Sequence, residues 1–138
     1  DKARGNVTLN TFDKNVVGAV IENRGAGLVE IADSNITNSP WVGVICGSSG
    51  PTGIIHTNLW NISTPTSGCS MLSMLMSADP RYATGALGAH YLDPAASPLV
   101  DAGSIGASSV FPTGNRTTDP SGVNPDVGVI DIGFHYPL

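Results

Sequence analysis

A spacing of about 23 residues recurs along the first part of the chain and constrains its fold more than any other feature. One marker is an apolar residue that closes a short Asn-containing segment, and it occurs at Phe12, Ile36 and Leu59. A second marker is an asparagine a few residues later, at Asn15, Asn38 and Asn61. The two cysteines, Cys46 and Cys69, have the same spacing. Because these markers agree on one period, the sequence predicts successive copies of one structural unit.

A period in the low twenties leaves two architectures, leucine-rich repeats or a coil of parallel strands. The chain lacks the fixed Leu pattern of the first, so we expect a coil with Asn ladders at its bends. The composition agrees, because 17 Gly and 10 Pro suit bends, and the 12% of charged residues limits repulsion between stacked side chains. The inward columns should contain Val7, Leu9, Val29, Ile31, Ile36 and Ile54.

Segments from both parts of the chain resemble bacterial right-handed parallel β-helix repeat proteins. The segments that look like turns are VEIADSNITNSPWVGVICG (29–47) and IIHTNLWN (54–61). The tail is similar to the closing segment of large secreted or surface members, with ADPRY (78–82), YLDPAASPLVDAG (91–103) and DVGVIDIGFHYP (126–137) in that order. The resemblance implies an all-β fold, with a right-handed parallel β-helix of about three turns in residues 1–77 and an irregular C-terminal cap in residues 78–138.

Two functions fit this resemblance, because one fold hosts many activities. The first is a noncatalytic structural or adhesive module of a secreted or cell-surface protein, of a kind that can form filaments. The second is the C-terminal part of a polysaccharide lyase or glycoside hydrolase whose catalytic turns lie upstream. Paired carboxylates, or a Lys or Arg beside a carboxylate, on one outer column would indicate the enzyme, and the sequence shows no clear column of this kind. Whether the chain belongs to an enzyme therefore stays open.

Asp33 and His56 are the candidate catalytic pair, because the repeat period places them side by side on adjacent turns. A carboxylate beside an imidazole can act as a general base. Both residues also occupy the bend position that Asn usually fills, so the alternative is a hydrogen-bonded pair with a structural role.

Cys46 and Cys69 should likewise lie one above the other on adjacent turns. Neighbouring strands are about 4.8 Å apart, within the Cα separation that a disulfide tolerates. A secreted protein could form this disulfide, and two stacked buried thiols are the alternative.

Trp41 and Trp60 are candidate platforms for stacking sugars if they face outward. Trp60 alternates with Leu59, so it faces outward if Leu59 points into the core. Polysaccharide is therefore one expected partner. The other is a further protein chain, which would bind at the open N-terminal end of the coil.

Oxygen-bearing side chains of the tail could form a calcium site: Asp119, Asn124, Asp126 and Asp131. Their spacing does not match the twelve-residue EF-hand loop, and turn formation explains them more simply. We expect no cofactor and no metal. Asp131 should instead bond backbone amides within the cap.

The charge and the hydropathy of the chain exclude two classes of partner. A net charge of −5 with six Lys and Arg gives little means of binding nucleic acid phosphates. No apolar run reaches the length of a membrane span. The chain enters a strand-like pattern almost at once, as a processed piece of a longer protein would.

The tail should have little regular secondary structure from about Asp79 onward and should pack over the end or the flank of the coil. We expect Val129 or Ile130, with Ile132 and Phe134, to be buried against the last turns. The Met-rich stretch 71–76 should form the last partial turn or a plug beneath the cap.

Overall fold

The computed structural model describes residues 4–16, 18–47, 52–111, 114–121 and 124–137. Strands dominate these residues, and the only helix among them is the short α1 (Ala107–Val110). The strands are β1 (Arg4–Thr8), β2 (Thr11–Asp13), β3 (Ala19–Asn23), β4 (Leu28–Ala32), β5 (Asn35–Cys46), β6 (Thr52–Ile55), β7 (Asn58–Ser67), β8 (Met71–Ser73), β9 (Tyr82–Gly85), β10 (Gly88–Leu92), β11 (Asn115–Arg116) and β12 (Tyr136–Pro137). The expected all-β class is confirmed.

The first sheet contains β1, β4, β6 and β8 in that spatial order, and all of its strands run parallel. One row of paired residues across this sheet is Val7, Ile31, Ile54 and Leu72. The predicted period is confirmed from β1 to β6. The last step is shorter, because Leu72 follows Ile54 more closely in the sequence than Ile54 follows Ile31.

The second sheet is built around β5, which pairs in parallel with β2 and β3 on one side and with β7 on the other. The predicted row of Phe12, Ile36 and Leu59 is present here in register. Further along β5, Ile21 lies beside Val44, so the offset between paired residues is one shorter than that between Phe12 and Ile36. This one-residue shift arises because the link from β2 to β3 is one residue longer than the matching stretch of β5.

Corner residues in the left-handed conformation follow the strands in two columns. The first column contains Leu9, Asp33, His56 and Met74, with φ between 42° and 56°. The second contains Lys14, Asn38 and Asn61, with φ between 53° and 57°. Asn and Asp tolerate this backbone better than other residues that carry a Cβ atom. The conformation therefore explains why Asp33, Asn38 and Asn61 occupy these corners.

The main core is formed by apolar side chains from both parallel sheets. Ile31, Ile36 and Ile54 are fully buried in it, as the predicted inward columns require. Val7 and Val29 are partly buried and pack against the same cluster. Leu9 was expected to point inward as well, but the strand ends before it and Leu9 forms a corner instead.

The tail after β8 packs against the flank of the sheets, one of the two predicted positions. It is more regular than expected, because β9 pairs with β10 and β11 pairs with β12, both antiparallel. A second, smaller core within it contains Leu92, Leu99 and Ile132. The tail contacts both the first and the last strands of the second sheet. The Phe134 amide donates to the Thr11 hydroxyl (3.0 Å), and Asn58 Nδ2 donates to the Ala78 carbonyl (2.9 Å).

One expectation for an apolar side chain of the tail is wrong, and one for the Met-rich stretch is narrowed. Ile130 and Ile132 are fully buried, but Phe134 is 43% exposed, because its ring lies edge-on against Tyr136 at the surface. The Met-rich stretch forms β8, which pairs in parallel with β6 at the end of the first sheet. It therefore continues the parallel strands, as the first of its two predicted positions requires, and is not a plug beneath the tail. Its Met71 and Met74 are exposed, because the tail passes along the flank and leaves this end uncovered.

Candidate functional site

Asp33 and His56 occupy adjacent corners of the first sheet, yet both side chains face the tail. The Asp33 carboxylate accepts hydrogen bonds from the Ser104 amide (2.7 Å) and the Ser104 hydroxyl (2.8 Å). His56 Nδ1 lies 3.1 Å from the carbonyl oxygen of Ala102. Among the described residues no hydrogen bond joins Asp33 to His56. The predicted neighbours therefore do not form an acid–base pair here and instead hold one tail segment.

This anchor is tightly packed at Gly103, between the two tail residues that Asp33 and His56 bind. A Cβ atom at Gly103 would lie 2.5 Å from the Ile130 side chain and 3.1 Å from the Asp33 carboxylate. The Asp33 carbonyl also accepts a hydrogen bond from the Gly133 amide (3.0 Å). Asp33 thus holds two separate parts of the tail against one corner.

A polar cluster centred on Asp13 was not predicted from the sequence. Its carboxylate accepts hydrogen bonds from Thr37 Oγ1 (2.8 Å) and Asn38 Nδ2 (2.7 Å) and faces His90 Nε2 at 3.3 Å. Thr37 Oγ1 also lies 3.1 Å from the Tyr82 hydroxyl, which accepts a bond from Asn35 Nδ2 (2.8 Å). His90 and Tyr82 belong to the tail hairpin of β9 and β10, so this cluster is a second attachment of the tail.

The electrostatics of the cluster keep Asp13 ionised. Burial alone would raise the pKa of Asp13, but the hydrogen bonds from Asn38, Thr37 and His90 outweigh it and lower that pKa below its ordinary value. Burial raises the pKa of Tyr82, so its hydroxyl stays neutral. A carboxylate with this many donors is stabilised in its charged form and is a poor proton acceptor.

A chain of side-chain amides leads from Asp13 to an open groove. Asn61 Nδ2 donates to Asn38 Oδ1 (2.8 Å), and Asn38 donates in turn to Asp13. The predicted Asn ladder therefore exists between Asn38 and Asn61, but Lys14 and not Asn15 occupies the first corner of this column. A groove of about 480 Å³ lies beside it and is lined by small polar and apolar side chains, including Ser63 and Pro65. The described residues that line this groove include no charged side chain.

The two tryptophans differ in exposure. Trp41 is 55% exposed, and its Nε1 donates to the Val16 carbonyl (2.7 Å), which fixes one edge of the ring. Trp60 is half-buried and pairs with Thr37 across the second sheet. Leu59 is buried, so Trp60 points away from the core, as alternation predicts. Of the two rings, Trp41 presents the larger free surface, and sugar stacking on either ring stays a prediction.

Cys46 and Cys69 are joined in a disulfide, with Cα atoms 5.0 Å apart. Cys46 is the last residue of β5, and Cys69 lies two residues beyond the end of β7. The bond therefore links two strands that are neighbours in the second sheet. The structure thus has the disulfide and not the alternative pair of stacked thiols.

The four candidate calcium ligands do not converge. Asp119 forms a turn, in which its carboxylate accepts bonds from the amides of Ser121 (2.9 Å) and Asn124 (2.7 Å). Asp131 accepts bonds from the Asp101 amide (2.7 Å) and the Thr117 hydroxyl, and burial raises its pKa. In the described part of the chain no group of three or more His, Cys, Asp and Glu side chains could hold a metal. The expected bond from Asp131 to a backbone amide is confirmed.

Asp126 forms a buried pair with His135. His135 Nε2 lies 2.9 Å from Asp126 Oδ2, and its Nδ1 lies 3.0 Å from the Gly133 carbonyl. Both ring nitrogens are therefore occupied, and neither is free to exchange a proton with a substrate. The pair fixes the last residues of the tail.

Comparison with known proteins identifies no relative: no protein-family description, curated protein or solved structure matches this chain. Among the described residues no helix is long and apolar enough to span a membrane.

Proposed function

We propose that the two parallel sheets are two faces of a right-handed parallel β-helix of about three turns, spanning residues 1–77, and that residues 78–138 form its closing segment. The nearly constant sequence offset between paired strands, from β1 to β4 and from β4 to β6, supports this architecture. The repeated left-handed corners support it as well, because each turn of such a coil must bend at the same places.

The function that fits this architecture is a noncatalytic structural or adhesive module of a secreted or cell-surface protein. One observation carries the proposal: Asp33 and His56, the best candidates for chemistry, hold the tail at Ser104 and Ala102. A residue whose polar atoms are committed to the fold is poorly placed to bind and release a substrate. The disulfide is compatible with an oxidising compartment.

Assays on polysaccharides test the noncatalytic role. The chain is incubated with neutral and uronate-containing polymers, and released reducing ends and the absorbance of unsaturated uronates are followed. We expect no product above a protein-free control. We also expect Asp33→Asn and Ser104→Ala to lower the melting temperature, because each weakens a hydrogen bond to a charged group. If the wild type releases product and a folded Asp33→Asn variant does not, the corner at Asp33 would be catalytic and the proposal would be wrong.

The adhesive part of the proposal rests on the uncharged groove beside Asn61 and on Trp41, which directly follows the groove residue Pro40. Neutral sugars suit such a surface, since hydroxyl groups can bond amides while ring faces stack on an aromatic side chain. Retention on insoluble polysaccharides measures this binding. Trp41→Ala should weaken retention, and Val127→Ala, at an exposed site of the tail, should not. Absence of any retention would leave only the structural role.

A further inference from the structure

A cavity of about 520 Å³ lies between the Met-rich end of the first sheet and the tail segment that His56 binds. Its lining includes His56, Met74, Met76 and Asp101. The whole chain contains three methionines and three histidines, so two of its thioethers and one of its imidazoles share this cavity. The groove beside Asn61 has neither residue type among its described lining. The cavity is therefore distinguished by side chains that carry sulfur and nitrogen donor atoms.

The hydrogen bond of His56 determines which of its ring nitrogens can bind a cation. Nδ1 lies 3.1 Å from the Ala102 carbonyl oxygen, which can only accept a hydrogen bond, so Nδ1 carries the proton of the neutral ring. The lone pair is then on Nε2, and none of the described residues is hydrogen-bonded to that atom. Histidines that bind metals almost always donate their other N–H in this way, which fixes the orientation of the ring. His56 thus has the arrangement of a metal ligand that binds through Nε2.

The strand register places a thioether beside this imidazole. Ile55 of β6 pairs with Ser73 of β8. His56 and Met74 are the next residues along, and both have the left-handed corner conformation, so they occupy neighbouring strand positions about 4.8 Å apart. Met76 packs against the smaller core of the tail and lines the same cavity. Because the methionine side chain has three rotatable bonds, both sulfur atoms can approach Nε2 without a change in the backbone.

The donor atoms of the cavity favour a soft cation. Thioether sulfur selects Cu(I), imidazole also suits copper, and hard ions such as Ca²⁺ prefer several oxygen ligands. A structural zinc site takes four ligands from Cys, His, Asp and Glu, and the described lining of the cavity supplies only His56 and Asp101. The carboxylate of Asp101 can balance the positive charge of a bound ion. Cu(I) is therefore the ion that this set of side chains fits best.

The other side chains that could compete for a soft ion are engaged or lie elsewhere. Cys46 and Cys69 form the disulfide, so neither supplies a thiolate. Both ring nitrogens of His135 contact oxygen atoms, and Nε2 of His90 faces a carboxylate. Met71 is exposed on β8 and is not part of the described lining of the cavity. A soft ion that binds this chain should therefore bind in the cavity.

We propose that His56 Nε2 and the sulfur atoms of Met74 and Met76 form a binding site for one Cu(I) ion, with the Asp101 carboxylate balancing its charge. The sequence predicted a packing role for the Met-rich stretch, and this site gives it a ligand as well. The ion links the end of the first sheet to the tail, because Asp101 belongs to the tail. The inference goes beyond the noncatalytic role and does not depend on it.

Competition for Cu(I) with a chromogenic chelator tests the site, under anaerobic conditions and with ascorbate to keep the ion reduced. The wild-type chain should remove one equivalent of Cu(I) from the chelator. Met74→Leu should raise the Kd by about tenfold or more, because it removes a sulfur ligand and keeps a similar apolar volume. Met71→Leu is the matched control, since it makes the same change on β8 outside the cavity lining. It should bind Cu(I) as the wild type does.

Silver(I), a soft ion that is not oxidised or reduced under these conditions, locates the ligands by NMR. One equivalent should shift the methyl signals of Met74 and Met76 and the ring signals of His56, and should leave the methyl signal of Met71 in place. Equal shifts of all three methionine methyl groups would show unspecific binding to thioethers and overturn the proposal. A wild-type chain that leaves all Cu(I) on the chelator would overturn it as well, as would a Met74→Leu variant with wild-type affinity.

Melting curves of every variant establish that the chain is folded. Met74 is 66% exposed, so Met74→Leu should melt as the wild type does in the absence of metal. Where it does not fold, Met76→Leu takes its place and should weaken Cu(I) binding in the same way. The polysaccharide assays are run without copper, so their outcome is independent of this one.

Discussion

At the residue scale, the isoleucines of the main core have the clearest energetic role. Ile31 and Ile54 are paired neighbours in one row, and both are fully buried. Replacing either with Ala should lower the free energy of unfolding by about 2–5 kcal/mol, because transfer energy is lost and a cavity remains. Urea unfolding measures the change. The control Val16→Ala, at a residue that is 69% exposed, should cost less than about 0.5 kcal/mol. Equal small losses at all these sites would contradict the core assignment.

Asp13 should make the free energy of unfolding fall as the pH is lowered, because its pKa is lowered in the folded protein. Its folded pKa is lowered, so its contribution is fully present above its unfolded pKa of about 4 and is lost as pH falls through the folded value. We therefore expect the wild type to be more stable than Asp13→Asn at neutral pH. The difference should shrink below about pH 4. Urea unfolding of both proteins across this range measures it, and a difference that grows on acidification would contradict the assignment.

The Asp13 cluster also marks the limit of prediction from the sequence at this scale. Asp13 and Thr37 are 24 residues apart, so the repeat could have indicated that contact. The contact of Asp13 with His90 spans 77 residues and follows no period. It depends on how the tail folds back, which local patterns do not encode. For the same reason the sequence suggested that Asp33 contacts His56, when both bind the tail.

At the element scale, the repeat predicted the strand pairing well. The rows through Phe12, Ile36 and Leu59 exist because stacked strands must repeat the same apolar and bend positions. The prediction failed where the repeat is broken. The shorter step to β8 and the extra residue between β2 and β3 change the register, and no residue type in the sequence marks either one.

The disulfide links β5 to the segment that follows β7, its neighbour in the second sheet. It closes a sequence separation of 23 residues, and replacing both Cys46 and Cys69 with Ser should cost about 2–4 kcal/mol in the free energy of unfolding. A nonreducing peptide map of the wild type should show the two cysteines linked. Free thiols that react with a probe in the folded protein would contradict both the link and the burial of Cys46.

At the scale of the whole molecule, the parallel sheets and the tail depend on each other. Polar contacts at Asp13, Asp33 and His56 attach the tail along the flank, and Ile130 and Ile132 are buried within it. That the tail packs was predictable from its apolar content, since a free solvated segment would carry fewer apolar residues. The exposure of Phe134 could not be predicted from the sequence. It depends on the position of the last residues, which the contact of Asp126 with His135 fixes.

Truncation tests most directly whether the tail stabilises the two parallel sheets. A chain that ends before Asp126 loses the buried Ile130 and Ile132 and the bonds from Gly133 to Asp33 and from Phe134 to Thr11. Its melting temperature and mass are compared with those of the full chain by calorimetry and light scattering. We predict a lower melting temperature or aggregation, because apolar surface becomes exposed. A truncated chain that stays monomeric with an unchanged melting temperature would show that the tail is a passive linker.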